Sequence, residues 1–109
     1  MDWELKRSRG RLIGVPRGRV DETTWERFSQ MLIEAVREAA AEGVDLVVDL
    51  SGLDYMSSRG LRALTMARRE AGESVPITLA APNARMREIL AISRYDKLFT
   101  VTDSVERPG

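Results

Sequence analysis

The stretch Val47-Val48-Asp49-Leu50-Ser51-Gly52-Leu53-Asp54-Tyr55-Met56-Ser57-Ser58-Arg59-Gly60-Leu61-Arg62-Ala63-Leu64 decides how this chain folds. Its apolar opening reads as a buried strand, which runs through a short polar loop, Asp54 included, into a helix that opens on the paired serines. A helix leaves its first N–H groups without internal partners and carries roughly half a positive charge at its N-terminus. A serine there either caps the helix or offers a hydroxyl where an added phosphate is easily held. Both readings are open at this point.

Working outward, Val44 to Leu50 forms the central strand, covered on both faces. Before it, Trp25, Phe28, Leu32, Val36 and Ala39 repeat at helical spacing, with Glu34, Arg37, Glu38 and Glu42 largely off that stripe. Thr23 with Glu26 has the form of a capping box, and Gly43 supplies the stop. Trp3 to Arg7 and Leu12 to Val15 alternate around a Ser8-Arg9-Gly10 turn, which predicts an N-terminal hairpin ended by Pro16 and Gly18. After the serines, Leu61, Leu64, Ala67 and Ala71 mark the buried side of a helix closing near Gly72. Val75 to Ala80 reads as a strand, Asn83 as the cap of a helix burying Met86, Ile89 and Leu90, and Lys97 to Val101 as a last strand. The order β-β-α-β-α-β-α-β predicts a single α/β domain over residues 1–109, a largely parallel sheet with helices packed on it and an antiparallel edge. No internal repeat or linker interrupts it.

Composition narrows the function. With no cysteine and no histidine, disulfides, thiolate catalysis, the usual general base and the commonest zinc ligand are absent, so neither metal nor cofactor is expected. Seventeen basic residues balance seventeen acidic ones, which argues against nucleic acid or an anionic membrane and for a protein partner or none. Arg7, Arg9, Arg11, Arg17 and Arg19 alternate as a solvated strand face does. Neither a signal peptide nor an apolar run of about 18 residues is present, so a soluble cytoplasmic protein is expected.

An enzyme is not expected. Ser58 has no histidine to activate it, Lys6 and Lys97 are distant in sequence, and no Gly-x-Ser-x-Gly elbow occurs. Asp49 ends the central strand, but the first strand lacks the acidic pair that a magnesium-dependent phosphoaspartate site needs, so Asp49 is expected to bond loop N–H groups. Without a phosphate-cradling Gly-x-x-x-x-Gly-Lys loop, any ATP involved would be bound by a partner.

Asp49 to Leu64, together with Gly18-Arg19-Val20-Asp21 and Lys97 to Ser104, resembles the STAS domains. These occur in bacterial anti-sigma factor antagonists and as modules of anion transporters. The resemblance implies the same element order and a partner switch: the unmodified antagonist binds an anti-sigma serine kinase, and phosphorylation of one loop serine ends that binding. Laying Gly60 on the glycine of the family's Asp-Ser-Ser-Gly or Asp-Ser-Thr-Gly motif puts Ser58 at the phosphoacceptor, with Ser57, at the aspartate position, as the alternative. Arg59 takes the place of the second hydroxyl. Asp21 matches the family's aspartate beside the phosphoryl site. Arg62, Met66 and Arg69, facing outward from the same helix, are candidates for the partner-facing patch. Relatives often continue into a further helix where this sequence closes after Asp103, so a bare face is expected there. The alternative is a STAS interaction module without phosphorylation, serving as a soluble accessory subunit of a transporter or lipid-trafficking complex.

Overall fold

The computed structural model describes residues 1–105. Three helices and six strands follow one another as β1 (Asp2–Ser8), β2 (Arg11–Val20), α1 (Trp25–Glu42), β3 (Asp45–Asp49), β4 (Leu53–Met56), α2 (Ser58–Ala71), β5 (Ile77–Ala80), α3 (Ala84–Ile92) and β6 (Thr100–Thr102). The sheet runs β1-β2-β3-β5-β6, with β4 off this path and paired to β2. Only the β1–β2 pair is antiparallel. The expected α/β architecture with an antiparallel edge is therefore present, with one strand more than the sequence suggested.

That strand is β4, which lies where a loop was expected. It pairs only with the far end of β2, through Gly18↔Leu53, Arg19↔Tyr55 and Val20↔Met56. Asp54, expected in a loop, is an exposed residue of β4. For the same reason Pro16 and Gly18 do not end β2. The strand pairs with β3 from Arg11 to Gly14 and with β4 from Gly18 to Val20, so Pro16 falls between the two partners, where its missing N–H leaves no ladder bond unmade on that side. Gly18 takes φ +101°, a conformation glycine adopts readily, at the bulge where the register shifts. The last strand is also shorter than expected, because Tyr95–Lys97 forms a 3-10 turn and β6 begins at Thr100.

The main core lies between the sheet and the helices. Phe28, Leu32, Val36 and Ala39 of α1 and Leu61, Leu64, Ala67 and Ala71 of α2 are buried against Leu12, Leu46, Val48 and Leu79. Each large apolar side chain buried in this way contributes about 1.5–3 kcal/mol relative to exposure. Trp3 meets Phe28 edge-on at 6.5 Å between ring centroids. Gly43 ends α1 in the left-handed region at φ 69°, as its place in the sequence suggested. On the sheet's other side Ile13, Val15, Val47 and Ala80 form a smaller cluster with Val105 packed against it, so the stretch after Asp103 does not leave this side wholly bare. Residues 106–109, to which that expectation also extends, lie outside the described residues.

The five N-terminal arginines are not one solvated face. Arg7 reaches back to α1, 2.9 Å from Glu38 and 2.6 Å from Glu42, which raises its already high pKa and lowers that of Glu42. Arg17 pairs with Glu4 at 3.0 Å, and Arg19 lies over Tyr55. Arg11, between β1 and β3, is only 7% exposed. Period-two spacing placed these residues on strands but says nothing of what covers each side.

Candidate functional site

Parallel pairing of β2 with β4 brings two loops to the same end of the sheet. The Ser57 N–H donates to Val20 O at 2.8 Å, which sets the start of α2 beside the turn after β2. That turn is organised by Asp21, whose Oδ1 accepts the Thr23 N–H at 3.0 Å and the Thr23 hydroxyl at 2.8 Å. Those two bonds are the main reason the Asp21 carboxyl titrates below its usual range, with Thr24 and Arg19 adding to the effect against a desolvation that opposes it. The expected Thr23–Glu26 capping box is replaced by this turn. Thr24 stands at the N-cap of α1 without a side-chain cap bond, its hydroxyl donating to Arg19 O at 2.9 Å and accepting the Asp21 N–H at 2.9 Å. Asp49 behaves as expected, accepting the Ser51 N–H at 3.0 Å.

Ser57 is the N-cap of α2, yet its side chain makes no capping bond, and its Oγ is buried without a partner among the described residues. Ser58 is the first residue of the helix and is exposed. Beside it opens a cleft of about 320 Å³ lined by Trp25, Ser58, Arg59 and Arg62. The Arg59 guanidinium lies 5.3 Å from the centre of the Trp25 ring, while its Nε is 2.7 Å from Glu22 Oε2. One cation thus ties the second residue of α2 to the turn that Asp21 organises.

Gly60 explains why this helix can lie so close to the sheet. A Cβ at this position would stand 2.7 Å from Val20 Cγ1 and closer still to Met56 Cγ, so a larger residue would lift α2 off β2 and β4. Arg62 follows Ser58 by four residues and therefore shares its face. Met66 is 45% exposed one turn further on, outside the cleft. The structure thus brings Ser57, Ser58, Arg59, Gly60 and Arg62 together next to Asp21 and leaves Met66 on the rim. It also adds Trp25 and Glu22. Trp25 reads in the sequence as the first residue of the core stripe, and Glu22 carries no local signal because its partner is far along the chain. Among the described residues no three acidic side chains converge where a metal ion could sit, and no helix is long and apolar enough to cross a membrane.

A family model described as Mlab, STAS domain matches residues 17–102, which include both loops and the cleft. The chain belongs to the STAS domain family. A STAS-domain containing protein of Pseudomonas aeruginosa, strain UCBPP-PA14, is 40% identical over 57 residues, 51% of this chain and 56% of that protein, so the match spans about half of each. An anti-sigma factor antagonist from Mycobacterium paratuberculosis superimposes with a TM-score of 0.81 at 21% identity, covering 95% of this STAS domain and 86% of that chain. The Bacillus cell fate determinant SpoIIAA in its phosphorylated form gives 0.62 at 17% identity, covering 92% and 90%. At such identities these likenesses are of fold.

Proposed function

We propose that this STAS domain is an anti-sigma factor antagonist that binds an anti-sigma serine kinase and is released when Ser58 is phosphorylated. The observation that carries this reading is the exposed Ser58 at the start of a helix whose N-cap hydroxyl makes no capping bond. A structural cap would spend its oxygen on the N–H of the second or third helical residue. The antagonist folds among its structural neighbours, one of them captured in a phosphorylated form, support the same reading.

In this mechanism the kinase supplies ATP and a base. Ser58 Oγ attacks the γ-phosphorus, a new P–O bond forms as the bond to ADP breaks, and the serine proton passes to the kinase. The domain is substrate rather than catalyst, acts in the cytoplasm, and needs no cofactor of its own. The phosphate adds about −1.5 to −2 charges, which the positive end of α2 tolerates and a desolvated interface does not. A penalty of about 1.4 kcal/mol already weakens binding tenfold. Arg62 and Met66 extend the contact surface along α2.

The other reading, an unphosphorylated interaction module of a transporter or lipid-trafficking complex, is favoured by one feature. Where the family motif has a small second hydroxyl, this chain has Arg59, paired with Glu22 of the turn after β2. Parallel capture from the source cells with wild type and Ser58→Asp as baits, with phosphosites mapped, separates the two. Retention of an anti-sigma-type kinase by wild type and its loss with Ser58→Asp is the expected result. Equal capture by both baits, or capture of transporter components, would establish the second reading instead.

A further inference from the structure

Arg59 is the residue of the cleft whose chemistry the switch alone leaves unexplained. A long cation in place of a small hydroxyl is not needed to expose Ser58, and its ion pair runs to Glu22, a residue of the turn after β2. Its Nε comes within 2.7 Å of Glu22 Oε2, and among the described residues neither the Arg59 nor the Arg62 guanidinium donates a hydrogen bond. Trp25 underlies Arg59, whose guanidinium lies 5.3 Å from the ring centre while the side chain stays 55% exposed. Two cations with free donors therefore line the same cleft as the Ser58 hydroxyl, and one of them rests on a carboxylate from another element.

We propose that Arg59 and Arg62 form an intramolecular binding site for the phosphate monoester on Ser58, with Glu22 as the resting counter-ion that the phosphate displaces. The inference rests on Ser58 being the phosphoacceptor. A phosphate dianion offers three acceptor oxygens and more charge than a single carboxylate, and arginine can meet two of those oxygens at once. Exchange of partners on Arg59 leaves the Glu22 carboxylate free next to Asp21. Modification then changes two places on the surface: a largely neutralised phosphate in the cleft, and a newly unpaired acidic turn after β2.

The charged groups lining the cleft are Arg59 and Arg62 from α2, and the turn after β2 adds Glu22, paired with Arg59, and its neighbour in sequence Asp21, with Arg19 near enough to Asp21 to favour its charged form. The test installs phosphoserine at position 58 of the full chain during synthesis, so no kinase or partner is involved, and follows the phosphate by phosphorus NMR as a function of pH. In wild type the second ionisation should fall below the ordinary value of about 6. Arg59→Met should raise it by about 0.5 unit or more, Arg59→Lys should restore part of the shift, and Glu22→Gln should lower it further by removing the competitor. Arg59 is a surface residue, its side chain 55% exposed, so these variants are expected to fold, which circular dichroism checks. Identical titrations for wild type and Arg59→Met would overturn the binding site. An effect of Arg59→Met with none from Glu22→Gln would overturn the exchange. Neither result depends on whether a kinase recognises Ser58, which the capture experiment decides separately.

Discussion

The starts of α2 and α3 are built from similar materials and behave in opposite ways. Asn83, at the N-cap of α3, accepts the Met86 N–H at 2.8 Å and donates its side-chain amide to Leu53 O at 2.8 Å. Ser57, at the N-cap of α2, has the same extended backbone and a residue type equally suited to capping, but its Oγ bonds to nothing among the described residues. Asn83 is committed to structure, fastening α3 to β4. At α2 the helix is located instead by close packing at Gly60 and by the Ser57 N–H to Val20 O bond, and Ser58 in its first turn is exposed. The two helix termini thus differ in what fixes them, a side-chain cap at α3 and packing at α2.

Four measurements break or sharpen this comparison. Gly60→Val should be the most damaging, since packing locates α2. Forcing side-chain carbons into the space held by Val20 and Met56 is expected to cost about 1–3 kcal/mol or more, read as a lower urea midpoint. Asn83→Ala should come next, at about 1–2 kcal/mol, because it removes a cap and leaves Leu53 O without that donor. Ser57→Ala should lie within about 0.5 kcal/mol of wild type or be stabilising, as it deletes an unsatisfied hydroxyl. If it costs as much as Asn83→Ala, Ser57 is an ordinary cap and the contrast between the helices disappears.

The smallest effect concerns the turn opposite. Asp21 has a depressed pKa in the folded chain, so its contribution is fully present above the unfolded value near 3.8 and is lost as pH falls through the lower folded value. Glu42, held down by Arg7, follows the same rule from 4.5. Urea midpoints below pH about 4 should therefore fall less steeply for Asp21→Asn than for wild type, and parallel curves would mean that the Thr23 bonds to Asp21 do not persist in solution.

Much of this was legible in the sequence where the signals are local. The stripe of α1, the stops at Gly43 and Gly72, the Asn83 cap and the opening of α2 at the paired serines all depend on residues within a few positions of one another. β4 was not legible because Leu53–Met56 is four residues long, contains Asp54, and becomes a strand only by meeting the end of β2 more than thirty residues earlier. Pro16 and Gly18 read as terminators for the same reason, since the change of neighbour that accommodates them is a tertiary event. The Glu22–Arg59 pair is equally long-range, so the residues of the site were partly named while the contact that arranges them was not.

The hand-over along β2 has a kinetic consequence. β3 is flanked by β2 and β5, whereas β4 has a strand partner in β2 alone, its other holds being the Asn83 amide and the burial of Leu53 and Met56 in the core. Segments with few neighbours open at lower free energy than the global transition. The amide protons of Leu53 to Met56 are therefore expected to exchange with deuterium ahead of those of Leu46 to Val48. Ser58, exposed at the start of α2, follows closely on this singly paired strand, so faster exchange there would reach the first turn of the helix while the central sheet stays closed.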